Sequence, residues 1–405
     1  MSTNVLALPL MPEVFIVGAD VIPFGKFPAT SLRELATEAT TRALTDAGVR
    51  AGEIGAVFFA NSAAGALTGQ HAIRGQVALQ DTGLLGAPIT NVENACASGS
   101  TAFNLAHAAI ASGAAEIALA VGAEKLTHPD KAKTFAIFNA GWDVERFGDG
   151  EDGNSHSPFM DVYAGMARDY MERTGATAED FAAVSVKSHR NGALNPNAQY
   201  REPLTVEQVL ASREISPPLT LLMCSPIGDG AAALVLASEE GMKRLPEADP
   251  VRVLATVLRS GTRLEADGDG ETAPTVAARA AYERAGLGPD DVDVVEIHDA
   301  AAPAELIVTE ELGLAGPGEG PELLRSGATS LGGSVPVNPS GGLLSRGHPV
   351  GATGCAQLVE LTDQLRGRCG PRQVERARIA LAENGGGWLG GDPAAVTITI
   401  LARDG

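Results

Sequence analysis

One cysteine and two histidines stand where side-chain chemistry could be done. Cys96 lies in Asn91-Val-Glu-Asn-Ala-Cys96-Ala-Ser-Gly-Ser100, between an apolar run that reads as a strand and an alanine-rich run that reads as a helix. A thiol at the first turn of a helix feels the positive end of the helix dipole and its unpaired N–H groups, which favour thiolate over thiol. Thiolate is both nucleophile and leaving group, so it can take up an acyl group as a thioester and release it again. The small residues Ala97, Ser98, Gly99 and Ser100 leave room for a second backbone or a ligand. Taken alone, such a cysteine also reads as a small buried hydrophobe.

His348 sits in Val337-Asn-Pro-Ser-Gly-Gly-Leu-Leu-Ser-Arg-Gly347-His348-Pro349-Val-Gly351, just before a helical run. Pro349 fixes the backbone beside it, and a base or oxyanion donor must be held still. His298 ends the apolar run Val294-Val-Glu-Ile-His298-Asp299-Ala300-Ala301. Strand ends of α/β sheets are where sites collect. Without context, a lone histidine is more often a structural or surface residue.

The elements that must position these groups alternate between strand and helix. Val14 to Gly25, Ile54 to Ala60, Ile89 to Val92 and Glu116 to Glu124 read as strands. Leu32 to Ala47, His71 to Leu79 and Ala97 to Ser112 read as helices, the first closed by Gly48. Near-continuous apolar strands indicate a parallel or mixed sheet covered on both faces. From His128 to about Pro217 the chain turns polar, with helical pieces at Met160 to Thr174 and Glu179 to Gly192, and reads as a functional insertion. Gly230 to Ala237 returns to strand. The second half then repeats the first in outline: strands Val251 to Leu258 and Val292 to Ile297, helices Ala273 to Ala285, Pro303 to Leu312 and Val350 to Leu365, and closing strands Ala377 to Ala382 and Ala395 to Leu401. Each half carries a reactive side chain into a long helix through a glycine-containing loop. A site at the meeting of the halves is expected.

Composition bounds the rest. The 405 residues, 44% of them hydrophobic, suffice for a large core or two to three packed domains. A net charge of -20 argues against nucleic acid as a partner. Four cysteines without a CxxC pair argue against a disulfide scaffold or a zinc site. The acidic runs Asp149 to Gly153 and Glu265 to Glu271 lack calcium-loop spacing, so no metal is expected. With neither a signal peptide nor a membrane span evident, a cytoplasmic protein is expected.

The three segments, in this order, resemble the thiolase superfamily over nearly the whole chain. NACASGS is similar to the nucleophile loop, GGLLSRGHPVGATG to the Gly-His-Pro loop, and DVDVVEIHDA to the strand bearing a His-Asp pair. The His-Asp form, with TVEQVLASREISPPLTLLMCSPIGDGAAALVL, resembles the sterol-carrier-protein-x or lipid-transfer type. The resemblance implies an α/β thiolase fold of two duplicated βαβαβαββ halves, layered α-β-α-β-α. Residues 1–127 with 218–245 would form the N-terminal half, 128–217 an inserted loop domain and 246–405 the C-terminal half. It implies an acyltransferase that forms a Cys96 acyl-enzyme from an acyl-CoA or similar thioester and passes the acyl group to a carbon nucleophile or to CoA. His348 would deprotonate Cys96, and His298 would complete an oxyanion site for the second substrate. N–H groups of Cys96 and of the loop holding Gly385 and Gly386 would hold the acyl carbonyl oxygen. Ser225 would touch pantetheine. Coenzyme A would be substrate, with no permanently bound cofactor. At least a homodimer is implied, and a small zinc-ribbon/OB-fold companion protein is a further implied partner.

The resemblance also shows a departure. Ordinary thiolases carry a second, acid/base cysteine, either in a Cys-x-Gly loop near the C terminus or just after His-Asp. Here those places read Asn384-Gly385-Gly386-Gly387 and Ala300-Ala301. His156, in Gly153-Asn-Ser-His156-Ser, is one replacement. The loss leaves open acylation of an already activated aromatic or enol acceptor, retro-aldol side-chain cleavage, or a non-catalytic scaffold subunit.

Overall fold

The central strands of this chain are largely apolar and buried on both faces, as sheets covered on both sides require. The computed structural model describes residues 12–148, 157–262 and 270–403. His156, the acidic run 149–153 and most of the run 265–271 lie outside the described residues.

The first half contributes β1 (Val14–Val21), β2 (Ala56–Ala60), β3 (Ile89–Val92), β4 (Ile117–Glu124) and β5 (Gly230–Ser238). The second contributes β6 (Val251–Ser260), β7 (Val294–Glu296), β8 (Ile379–Gly386) and β9 (Ala395–Ala402). Among the described residues these strands form one sheet in the order β3-β2-β4-β5-β1-β6-β9-β8-β7. The duplication is plain in the pairing. In the first half β2–β4 is parallel, while β4–β5 and β5–β1 are antiparallel. In the second, β7–β8 is parallel, while β8–β9 and β9–β6 are antiparallel. A parallel bridge from Val337 to Val295 stands where β3 pairs with β2. Within the sheet, among the described residues, the halves pair through Phe15↔Arg252 and Ile16↔Val251.

Helices complete the layers. Helix α1 (Leu32–Ala47) starts with a Ser31–Glu34 capping box, ends at left-handed Gly48, and covers the outer face of β1, β4 and β5. Helix α2 (Ser98–Ala111) follows Cys96. Helices α3 (Pro158–Thr174) and α4 (Ala178–Ala193) belong to the insertion. Helix α5 (Ala273–Ala285) covers the outer face of β6 and β9, and α6 (Pro303–Glu311) follows β7. Helix α7 (Thr353–Arg366) packs against α2, and each of the two touches strands of both halves. They form the central layer. The insertion buries Ala164, Ala167, Phe181 and Val184 against Ala301, Ala302 and Leu306 of the second half.

Three local expectations need correction. Asn384, Gly385 and Gly386 are not loop: they pair with Ala395–Thr397 as the end of β8, because backbone pairing with β9 continues where no side chain interferes. The helix expected over His71 to Leu79 shrinks to Arg74–Ala78. The helix expected from Val350 opens with a 3₁₀ turn, Val350–Ala352, before α7 begins.

The central layer tolerates no extra atom. A Cβ on Gly122 would lie 2.4 Å from the Gly351 carbonyl oxygen, and one on Gly99 would lie 2.9 Å from it. We expect Gly122→Ala to cost about 2 kcal/mol and lower Tm by a few degrees, since backbone cannot retreat as a side chain can. Gly52→Ala, where a Cβ meets nothing within 4 Å, should stay within about 0.5 kcal/mol. Equal losses for the two in thermal unfolding would contradict this account.

Candidate active site

Cys96 sits on a tight turn between β3 and α2. Ala95 is left-handed, with φ of 48°, a conformation that a residue with a Cβ adopts only under constraint. Ser98 supplies it: its hydroxyl donates to the Ala95 carbonyl at 2.6 Å and accepts the Asn94 N–H at 2.8 Å. Against this turn lies Gly386, where a Cβ would meet Asn94 O and Ala97 N at 2.4 Å. So the small residues around Cys96 do admit a second backbone.

The histidines come from the other half. His348 follows Gly347, whose φ is 109°, and precedes the Val350–Ala352 turn. Its Nε2 lies 3.2 Å from Cys96 Sγ, and its Nδ1 lies 2.7 Å from Thr353 Oγ1. The Thr353 hydroxyl donates to the Pro349 carbonyl at 3.1 Å, so towards His348 it accepts. That assigns the proton to Nδ1 and leaves the Nε2 lone pair facing the thiol. His298, at the end of β7, is buried beside it, with ring centroids 5.1 Å apart in an edge-on arrangement. The His298 N–H donates to Glu383 at 2.9 Å, and its buried Nε2 has no hydrogen-bond partner among the described residues. Its neighbour Asp299 accepts the Leu343 N–H at 2.6 Å, tying the His298 strand to the His348 segment. Asn338 accepts the Ile297 N–H, and Ser340 and Arg346 both bond Glu296, fixing the same segment to β7.

Electrostatics favour neutral groups. Burial pushes the Cys96 thiol up to about 12, and the Glu124 carboxylate adds to this. The N–H groups of Gly387 and of Cys96 itself, which face the sulfur, act the other way. The helix dipole anticipated from the sequence is thus outweighed by desolvation. Burial also pushes His348 well below its usual range, helped by His298 and Arg346, and pushes His298 down to about 4. The pair at rest is thiol and imidazole.

The reactive atoms open onto a cavity of about 1830 Å³. Phe135, Phe138, Phe159, Met160 and Tyr163 of the insertion line it, as do Ser225 and Ala300. Gly385 and Gly386 line it too and pair with β9, but the N–H that faces the sulfur belongs to Gly387. Reactive atoms of Cys96, His298 and His348 lie within 4.8 Å of one another. We read this cluster as catalytic, not metal-binding, since His348 Nε2 already faces the thiol. Thr353, Gly387 and Glu383 went unnoticed as separate candidates in the sequence. A signal existed for Glu383 alone: an acid closing the apolar strand Ile379-Ala-Leu-Ala.

Residues 14–213 match the family described as thiolase, N-terminal domain, and residues 265–401 the thiolase C-terminal domain-like family. The chain is 41% identical to an acetyl-CoA acetyltransferase of Methanothermobacter thermautotrophicus, over 97% of this chain and 100% of that protein. The chain belongs to the thiolase family. It is 36% identical to human sterol carrier protein 2, over 99% of this chain and 74% of that protein, which places it with the sterol-carrier type of thiolase. Among solved structures, the Ltp2-ChsH2(DUF35) aldolase is similar, with a TM-score of 0.78 and 27% identity over 98% of this chain and 99% of that one. As a thiolase, the chain is an acyltransferase acting on acyl-CoA. Among its described residues no helix is long and apolar enough to cross a membrane.

A raised thiol and a neutral imidazole make a specific forecast. Alkylation of the Cys96 peptide by iodoacetamide should be slow at pH 7 and keep climbing beyond pH 9, because the thiolate fraction grows as pH approaches about 12. A plateau already reached near pH 7 would mean a resting thiolate–imidazolium pair.

Proposed function

We propose that Cys96 carries the acyl group of an acyl-CoA as a thioester and passes it to carbon or back to CoA, with His348 as the base. The observation that carries this reading is the 3.2 Å approach of His348 Nε2 to Cys96 Sγ, with Nδ1 pinned by Thr353. His348 takes the thiol proton as sulfur attacks the thioester carbonyl, then gives it to the departing CoA sulfur. The N–H groups of Cys96 and Gly387 that face the sulfur would hold the developing oxyanion, a contribution of about 3 kcal/mol in comparable holes. For the second substrate, His298 Nε2, buried and without a hydrogen-bond partner among the described residues, would hold the enolate oxygen. Ser225, on the cavity wall, would meet the pantetheine arm, and the insertion spanning 128–217 would cover coenzyme A.

The cavity favours bulky substrates. Its volume exceeds the roughly 300–1,000 Å³ of ordinary ligand sites, and aromatic and methionine side chains line one wall. Incubation with acyl-CoAs from acetyl to octanoyl, and with aromatic acyl-CoAs, followed by intact-mass analysis, tests the reading. A single adduct of acyl mass is expected on the wild-type protein and none on Cys96→Ala. No adduct on either would refute it.

A companion subunit is a second reading, favoured by the similar solved structure that joins a thiolase-like chain to a DUF35 component. Co-expression with a zinc-ribbon/OB-fold partner should then yield a stable complex with higher turnover than the chain alone.

A further inference from the structure

Two lines of geometry bear on the proton-transfer group that the missing thiol leaves undetermined. The first is elimination. Ala300 presents only a methyl group to the cavity at the place just after His-Asp. Cys224 lines the cavity, but its thiol donates to the Thr220 carbonyl at 3.4 Å, and burial pushes it up to about 12. Cys355 is buried in α7 and donates to the Gly99 carbonyl, and Cys369 is buried beside Glu360. Burial pushes the Tyr163 hydroxyl above its usual range, with Cys96, Glu383 and Asp299 adding to the effect, so it stays neutral and cannot serve as a base. Glu311, at the end of α6, also lines the cavity, but its hydrogen bond, at 2.7 Å, ties it to the Thr272 hydroxyl and not to His298.

The second line is placement. Glu383 lines the same cavity as Cys96, His298 and His348, within β8 and three residues before Gly386, which backs the Cys96 turn. Only 2% of its surface is exposed. Its Oε2 accepts the His298 N–H at 2.9 Å, which holds the carboxyl still, while Oε1 accepts no hydrogen bond from any described residue. A fixed, water-poor carboxyl with one uncommitted oxygen is what proton exchange at carbon requires.

We propose, resting on the acyl-transfer reading above, that Glu383 is the acid/base acting at the carbon that is joined or cleaved. In the joining direction its carboxylate takes a proton from the α-carbon of the second thioester, and the enolate oxygen is held by His298. The enolate carbon then forms a bond to the acyl carbon and the bond from that carbon to Cys96 sulfur breaks. The departing thiolate is re-protonated at the expense of the Glu383 proton, so this half-reaction consumes no outside proton and needs no redox partner. In cleavage the protonated carboxyl returns its proton to the departing carbanion. Burial pushes Glu383 up to about 8, with Glu311 adding to it and the His298 N–H opposing it. A group near neutrality can both take and give.

Hydrogen–deuterium exchange separates this role from acylation. The acyl-CoA panel is incubated in D₂O with wild type, Cys96→Ala and Glu383→Gln, and both the protein adduct and the α-deuterium content are read by mass. Glutamine keeps an oxygen to accept the His298 N–H but cannot carry the proton. Glu383→Gln should still be acylated on Cys96, while α-exchange falls by about 10²-fold or more relative to wild type. Unchanged exchange in Glu383→Gln overturns the proposal. So does loss of both acylation and exchange in that variant, which would mark Glu383 as a support for His298 and no more. A wild-type protein that is acylated but exchanges no α-hydrogen of any panel member also overturns it. Absence of an adduct on wild type would instead refute the acyl-transfer reading.

Discussion

The site exists because two backbones meet without side chains between them. Gly122 on β4 and Gly99 on α2 face the Gly351 carbonyl, Gly354 of α7 faces Ser100, and Gly386 of β8 backs the Cys96 turn. Each approach is closer than any Cβ permits. A protein interior packs as densely as a molecular crystal, so a single methyl group here would push one half away from the other. The 3.2 Å between thiol and imidazole is set by these contacts, since Cys96 and His348 come from opposite halves. The glycine-rich, aromatic-poor composition follows from the same demand.

Buried polar groups then hold the loops that close packing alone would leave loose. Glu124, fully buried, accepts N–H groups from Ser62 and Ala64 of the first half and from Gly351 beside His348. Glu296 gathers Ser340 and Arg346, and Asp299 gathers Leu343. An unpaired buried charge is costly, so each carboxylate fixes its donors strongly. The His348 segment is thus anchored at several points before the helix α7 begins. Burial, with the Glu124 carboxylate adding to it, also holds the Cys96 thiol above its usual range.

That balance bears on catalysis. A preformed thiolate would be stabilised by the positive end of α2, but desolvation and Glu124 prevail. Under the acyl-transfer reading, proton transfer to His348 accompanies attack, and the N–H groups of Gly387 and Cys96 serve the charge only as it develops. Such donors are already oriented when the charge appears, so they need not reorganise. The departure from ordinary thiolases lies elsewhere, at Ala300 and at Asn384, whose amide oxygen accepts the Ser100 hydroxyl in the core instead of facing substrate.

Much of this was legible from residue order alone. Apolar runs, turn glycines and the three segments around Cys96, His298 and His348 were enough for the strand–helix alternation, the duplicated halves and the three side chains that the fold brings together. Local patterning fixes which residues are strand or helix, because burial on both faces demands uninterrupted apolar runs. It could not reveal that α7 is buried almost throughout: its Gln357, Glu360, Gln364 and Arg366 look like a solvent face until Glu383, Arg372 and Asp46 supply partners from distant segments. Nor could it reveal that Asn384–Gly386 finish a strand, that Thr353 sets the His348 tautomer, or that Gly387 faces the sulfur. Above all, the charge state of Cys96 was read wrongly from the helix start. A dipole is a property of one segment and is visible in sequence, whereas desolvation is a property of everything packed around the sulfur and arises only when the halves close.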